Sequence, residues 1–221
     1  VDPLDGTNFA ANNLPGALTV ISVAEKSNLF NAPETYMNKI STNVKDPNVT
    51  DLDFSIKKNI HNLADFKNKT PEDITACVLN RERHSKIIEE LKNLKVNIKL
   101  IDDGDVAGAL LVTDTKYKVD IFLGIGGGPE GVLAASALDA YNCNFQGSFL
   151  FNTPEDISRA KKMGIEDLNK KYSIDEIITG DSIFCATGVT SGDLVSGIEI
   201  LNDEFISETL ITHKSQGLKK T

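Results

Sequence analysis

The sequence predicts an α/β protein with a parallel βαβ region at about residues 75–142. Three observations carry that prediction. The region repeats one strand–connection–helix arrangement three times, its strands are short apolar runs, and its helices are amphipathic or Ala/Leu-rich. With 221 residues, 40% of them hydrophobic and 25% charged, the chain can bury a sizeable core. No linker-like stretch divides it, so residues 1–221 are read as a single domain.

The chain opens on Val1-Asp2-Pro3-Leu4-Asp5-Gly6-Thr7-Asn8-Phe9, two carboxylates around a proline followed by Gly-Thr. Proline, glycine and capping aspartates make an ordinary turn, and that reading stands until the rest of the chain is weighed. Residues 17–23 predict a strand, closed by a turn at 25–28. Residues 41–74 are polar and rich in Asn and Asp, predicting a loop and one helix near 55–67. The strand at 75–79 leads into Arg81-Glu82-Arg83-His84 and a helix carrying Ile87, Ile88, Leu91 and Leu94. The strand at 97–101 leads into Asp102-Asp103-Gly104-Asp105 and an Ala/Leu-rich helix. The strand at 120–123 leads into a glycine-rich loop, 124–130, and a helix over 132–141. Beyond it come a strand at 147–151, a helix at 154–163, a strand and turn over 183–190, and a last strand at 208–213.

Composition narrows the function classes. A net charge of −9 argues against nucleic acid and anionic membrane as partners. No apolar run reaches spanning length and no signal peptide is visible. Cys77, Cys143 and Cys185 are scattered and lack a C-x-x-C pairing, so they read as buried thiols of a reducing compartment, the cytoplasm or, in a eukaryote, a plastid stroma. His61, His84 and His213 sit near no second histidine, which argues against a His-based metal site.

Ligands of open α/β sheets bind beyond the carboxyl ends of the strands, and all three connections there carry unusual polar residues. Arg81 and Arg83 are two apart in a segment expected to be extended, so both guanidinium forks can leave on one side and suit phosphate, or else form an ordinary surface pair at a helix N-terminus. Asp103 and Asp105 share that spacing; sugar hydroxyls, a hard cation or helix capping would each use them. Gly126-Gly127-Gly128-Pro129-Glu130 puts a loop before a helix whose Pro129 suits the first position and whose amides can face an anion. Glu130 also complements the helix dipole. A dinucleotide-binding fingerprint is a weak match, because Pro129 stands where its third glycine belongs.

These residues carry a family resemblance. VDPLDGT resembles the D-P-[IL]-D-G-T signature of the metal-dependent, lithium-sensitive sugar and inositol phosphatase superfamily. With LNRERH, IDDGDVAGAL, GIGGGPEGVLAASAL and CATGVTSGDL, nearly the whole chain resembles class II fructose-1,6-bisphosphatases, some relatives of which also hydrolyse sedoheptulose 1,7-bisphosphate. The resemblance implies a layered αβαβα fold and removal of the 1-phosphate of fructose 1,6-bisphosphate, in gluconeogenesis or the Calvin cycle. It implies Mg²⁺ or Mn²⁺ as cofactor, a sugar bisphosphate as ligand, and a homo-oligomer. Asp2, Asp5 and Glu130 match metal-binding carboxylates, and Thr7 matches the threonine that helps activate the attacking water, a catalytic set of four. Asp5, Gly6 and Thr7 match contacts to the substrate phosphate. Tyr36, Arg81, Glu82, Arg83, Asp103, Gly104, Asp105 and Gly127 match positions around the bisphosphate and sugar. Arg81 stands where family members often carry Lys, and Gly128 where they commonly carry Thr. In the family an aspartate and a glutamate upstream complete the metal site, so this sequence is expected to be cut at its N-terminus. Two rival readings are a bisphosphate-binding fragment without turnover and a nucleotide-binding module built on the glycine loop.

Overall fold

The computed structural model describes the backbone of residues 1–221 and the side chains of all but 217–220. Its strands are β1 (Asp2–Asp5), β2 (Leu18–Ala24), β3 (Tyr36–Thr42), β4 (Thr75–Leu79), β5 (Asn97–Ile101), β6 (Ile121–Gly127), β7 (Asn144–Leu150), β8 (Lys171–Ser173), β9 (Ser182–Gly188), β10 (Glu199–Leu201), β11 (Glu204–Ile206), β12 (Thr209–His213) and β13 (Gly217–Lys220). Its α-helices are α1 (Thr7–Ala11), α2 (Ile56–Phe66), α3 (Ser85–Asn93), α4 (Asp105–Leu110), α5 (Gly128–Ala140), α6 (Pro154–Lys162) and α7 (Ile174–Ile177). Two large sheets form. One is antiparallel, ordered β1-β2-β9-β12-β13; the other is mixed, ordered β5-β4-β6-β3-β7-β8, and β10–β11 is a separate hairpin.

The three predicted strands of the βαβ region do run parallel, β4 pairing with β5 on one side and β6 on the other. The next strand reverses direction. β3, which sequence patterning did not reveal, lies antiparallel between β6 and β7. Its run Tyr36-Met37-Asn38-Lys39-Ile40 breaks the apolar alternation that marks a buried strand, because Lys39 faces the interior and is 1% exposed.

The period of two sorts the strands' side chains into two cores. Cys77, Leu79 and Phe122 face one core, which Leu18, Val20, Phe184 and Leu210 close from the five-stranded sheet. Ala76, Val78, Ile121 and Leu123 face the other, roofed by Ile60 and Leu63 of α2 and Leu91 of α3. Helix α5 lies between the sheets, packed against strands of both, and is apolar all round for that reason. The layers are therefore helix, sheet, helix, sheet. Among the described residues no helix covers the outer face of the five-stranded sheet, where the αβαβα expectation puts a fifth layer; Ile21, Val23 and Ile183 are exposed there.

Two local expectations are corrected. Residues 124–127 are strand, not loop: β6 continues to Gly127 and α5 begins at Gly128, with Pro129 in its first turn. Residues 82–84 form a 3₁₀ turn, so Arg81 and Arg83 do not lie along one extended segment. Among the described residues no helix is long and apolar enough to cross a membrane.

Candidate active site

Because β4, β5 and β6 are parallel neighbours, the segments after them meet along one edge of the sheet. The loop between β1 and α1 reaches that edge from the other sheet, through contact of β1 with α4. Two reciprocal bonds tie them. The Asn8 amide donates to Asp103 Oδ2 at 3.0 Å, and the Ala107 amide donates to Asp5 Oδ2 at 3.3 Å. Gly104, at φ 81, turns the chain between Asp103 and Asp105 in a way a side chain would resist. Asp103 thereby stays near the surface, 3.3 Å from Arg81 Nη2, while Asp105 goes inside.

The turn after β4 grips β6. Arg83 Nε donates to the Ile125 carbonyl at 2.7 Å, and the Ile125 amide donates to His84 Nε2 at 2.7 Å. His84 is fully buried, and burial together with the neighbouring Arg83 cation holds its pKa below the usual value. It therefore works as a neutral acceptor. The Arg83 guanidinium stands over the Tyr36 ring at 5.1 Å, and its two Nη groups have no protein partner among the described residues. The pairing of β3 with β6 sets Tyr36 opposite Gly127.

Asp2, Tyr36, Gly127 and Glu130 line one open cleft of about 640 Å³, with Pro3 and Thr153 among its other walls. A Cβ at Gly127 would collide with the Glu130 carboxylate, and one at Gly126 with that of Asp105. The glycines that sequence patterning assigned to a flexible loop thus make room for two carboxylates. Glu130 Oε2 is buried without a hydrogen-bond partner, and Asp2 Oδ1 accepts from the Leu4 amide at 3.0 Å. Asp5 is 5% exposed; burial first, then the negative charges of Asp105, Asp2 and Asp103, push its pKa up to about 7. Thr7, in the first turn of α1, and Glu82 are exposed.

A family model described as bacterial fructose-1,6-bisphosphatase, glpX-encoded, matches residues 1–221. The chain belongs to this family. It is 32% identical to the D-fructose 1,6-bisphosphatase class 2/sedoheptulose 1,7-bisphosphatase of Synechococcus sp. (strain JA-3-3Ab), over 96% of this chain and 65% of that one. It is 30% identical to the protein of the same name from Trichodesmium erythraeum (strain IMS101), with the same two coverages. A further relative, from Acaryochloris marina (strain MBIC 11017), is 31% identical over 96% of this chain and 64% of its own. The chain spans slightly under two thirds of the length of these relatives.

Within this member of the fructose-1,6-bisphosphatase family, the donor chemistry fits a hard divalent cation. Glu130 keeps a buried carboxylate oxygen without a partner, and Asp5 is crowded by negative charge that a cation would relieve. Asp2 and Glu130 share the cleft, and Asp5 is buried within electrostatic reach of Asp2. Among the described residues no three His, Cys, Asp or Glu side chains are gathered as a complete metal-holding group. Two side chains escaped sequence reasoning. In the sequence His84 is only the end of the connection after the strand at 75–79 and a histidine with no second one near it, and Lys39 falls outside every element and motif the sequence predicts. The usable signal was Lys39 next to Ile40 in a run otherwise able to form a strand.

Proposed function

We propose that this chain is the sugar-bisphosphate-handling part of a metal-dependent phosphatase that removes the 1-phosphate of fructose 1,6-bisphosphate. The observation that carries the reading is a meeting. Asp5-Gly6-Thr7, Arg81–Arg83, Asp103–Asp105 and Gly127–Glu130 come from four separate segments and meet at one sheet edge, in a chain matched end to end by the family model. The relatives' names extend the substrate class to sedoheptulose 1,7-bisphosphate.

Arg83 offers its two Nη groups to a phosphate, held in place by its Nε bond and by the Tyr36 ring. Arg81, already bridged to Asp103, adds a second cation at the rim. Asp103 and Asp105 accept from sugar hydroxyls, and Gly127 lines the open cleft through which the sugar phosphate approaches. Asp2, Asp5 and Glu130 hold Mg²⁺ or Mn²⁺, with Thr7 orienting the attacking water. When bound, such an ion lowers the pKa of water and neutralises charge on the leaving oxygen. The protein works as a homo-oligomer in a reducing compartment, in gluconeogenesis or the Calvin cycle.

Phosphate release from fructose 1,6-bisphosphate tests this, with Mg²⁺, with Mn²⁺ and with chelator. Release should need the metal and be nearly abolished by Glu130→Gln, which keeps the helix and the volume but removes the charge. Bisphosphate binding without release under either metal would replace the reading with a binding domain.

A further inference from the structure

Among the large, fully buried side chains of the described residues, one belongs to a lysine. Lys39 leaves β3 toward the core between the sheets, on the same face as Met37, and its ammonium pairs with Asp105 Oδ2. Asp105 is its only hydrogen-bond partner among the described residues. The backbone is shaped around the pair from two other elements. A Cβ at Gly131 of α5 would come within 3.2 Å of Lys39 Cε, and one at Gly126 of β6 would strike the Asp105 carboxylate.

A buried ion pair is a poor device for stability alone. Desolvating both charges costs about what their attraction returns, and apolar residues of like volume commonly do as well or better. The pair does leave one group in an unusual state: Asp105 Oδ1 is buried and accepts no hydrogen bond among the described residues. Asp105 opens α4 directly after Asp103-Gly104 and lies close enough to Asp5 for their charges to interact. A carboxylate with one oxygen fixed by the Lys39 side chain and the other without a partner can accept a hydrogen bond from a further donor.

We propose that Lys39 is a positioning residue for substrate: it locks Asp105 in one orientation, so that Oδ1 accepts a hydrogen bond from a hydroxyl of the sugar. The inference rests on the phosphatase reading above and adds to it a specificity element outside the cleft. Lys39 touches no substrate itself. It separates recognition of the sugar from recognition of the phosphate.

That separation supplies the test. Calorimetric titration of the protein in Mg²⁺ compares fructose 6-phosphate, which carries the hydroxyls, with inorganic phosphate, which carries none. Lys39→Met should weaken fructose 6-phosphate by about tenfold to a hundredfold, the loss expected of a charge-assisted bond, and leave phosphate within about twofold. In turnover, KM for the bisphosphate should rise more than kcat falls. The single variant strands a buried carboxylate, so the double variant Lys39→Met/Asp105→Leu accompanies it; with both charges removed it should fold, and it should show the same selective loss. Sugar phosphate binding at the wild-type level in either variant overturns the inference, as does an equal loss for both ligands in the double variant. A wild-type protein that binds neither ligand overturns the phosphatase reading itself, which is a different result.

Discussion

Asp5 stands where its own charge is unwelcome, and the consequence is a pH dependence of unusual sign. Its pKa rises from 3.8 to about 7 on folding. Below the lower value both states hold the proton and nothing is lost. Between the two, the folded state keeps a proton that the unfolded chain has given up, so stability falls as pH rises; above about 7 the full penalty, a few kcal/mol, is present. Asp5→Asn should therefore raise the melting temperature of the metal-free protein at pH 8, and much less at pH 4.5. Added Mg²⁺ should shrink the gain, because the cation favours the ionised aspartate. Thermal unfolding of both proteins across that range in chelator is the check, and an Asn variant no more stable at pH 8 sinks the assignment. Arg83 makes a second case. Its Nε is spent on the Ile125 carbonyl, so only a guanidinium can anchor and still present two donors. Arg83→Ala should raise KM for the bisphosphate by an amount equivalent to about 1.5–3 kcal/mol, and Arg83→Lys should recover only part of it. Steady-state kinetics with an unchanged KM in the Ala variant would remove Arg83 from the site.

Among the elements, legibility followed the strength of the apolar pattern. The strands at 75–79 and 97–101 stand where the sequence predicts them, because short apolar runs between polar connections have few other ways to bury themselves. α6 starts at the expected Pro154, fixed by the capping box of Thr153 and Asp156, and ends one residue before its expected bound. β3 was hidden by the buried charge of Lys39, and β6 was cut short in expectation because glycine usually marks a loop. Both failures fall on residues packed against carboxylates of the candidate site, Lys39 and Gly126 against Asp105 and Gly127 against Glu130. The site itself was legible as motifs but not as geometry: Arg81 and Arg83 looked like one paired fork, yet one binds Asp103 and the other the Ile125 carbonyl. The β6–α5 junction tests the meaning of its glycines. In Gly127→Ala the new methyl must displace the Glu130 carboxylate, the far end of a flexible side chain. The fold should tolerate this with a stability change under about 1 kcal/mol, while metal-dependent phosphate release drops at least tenfold. Wild-type turnover in that variant would mean that the Glu130 position is not critical.

At the scale of the molecule, the sheets and helices divide into one interior that is enclosed twice and a margin that is hardly enclosed at all. Helix α5 is walled by a sheet on either side, and residues 131–139 along it are all buried. The hairpin β10–β11 has every residue exposed, and among the described residues its strands pair only with each other. That contrast sets two clocks for solvent deuterium. An amide in α5 can meet deuterated water only when the sheets separate, an event that costs the whole of the protein's unfolding free energy. Hairpin amides need only a local fray. In a time course read by mass spectrometry, peptides from 199–206 should label within the first points and those from 131–139 last of all. The difference should span several orders of magnitude in rate, in keeping with stabilities of about 5–15 kcal/mol for domains in general. Labelling of the two segments at similar rates would mean that the sheets part without the molecule unfolding, and that the enclosed helix breathes as a unit.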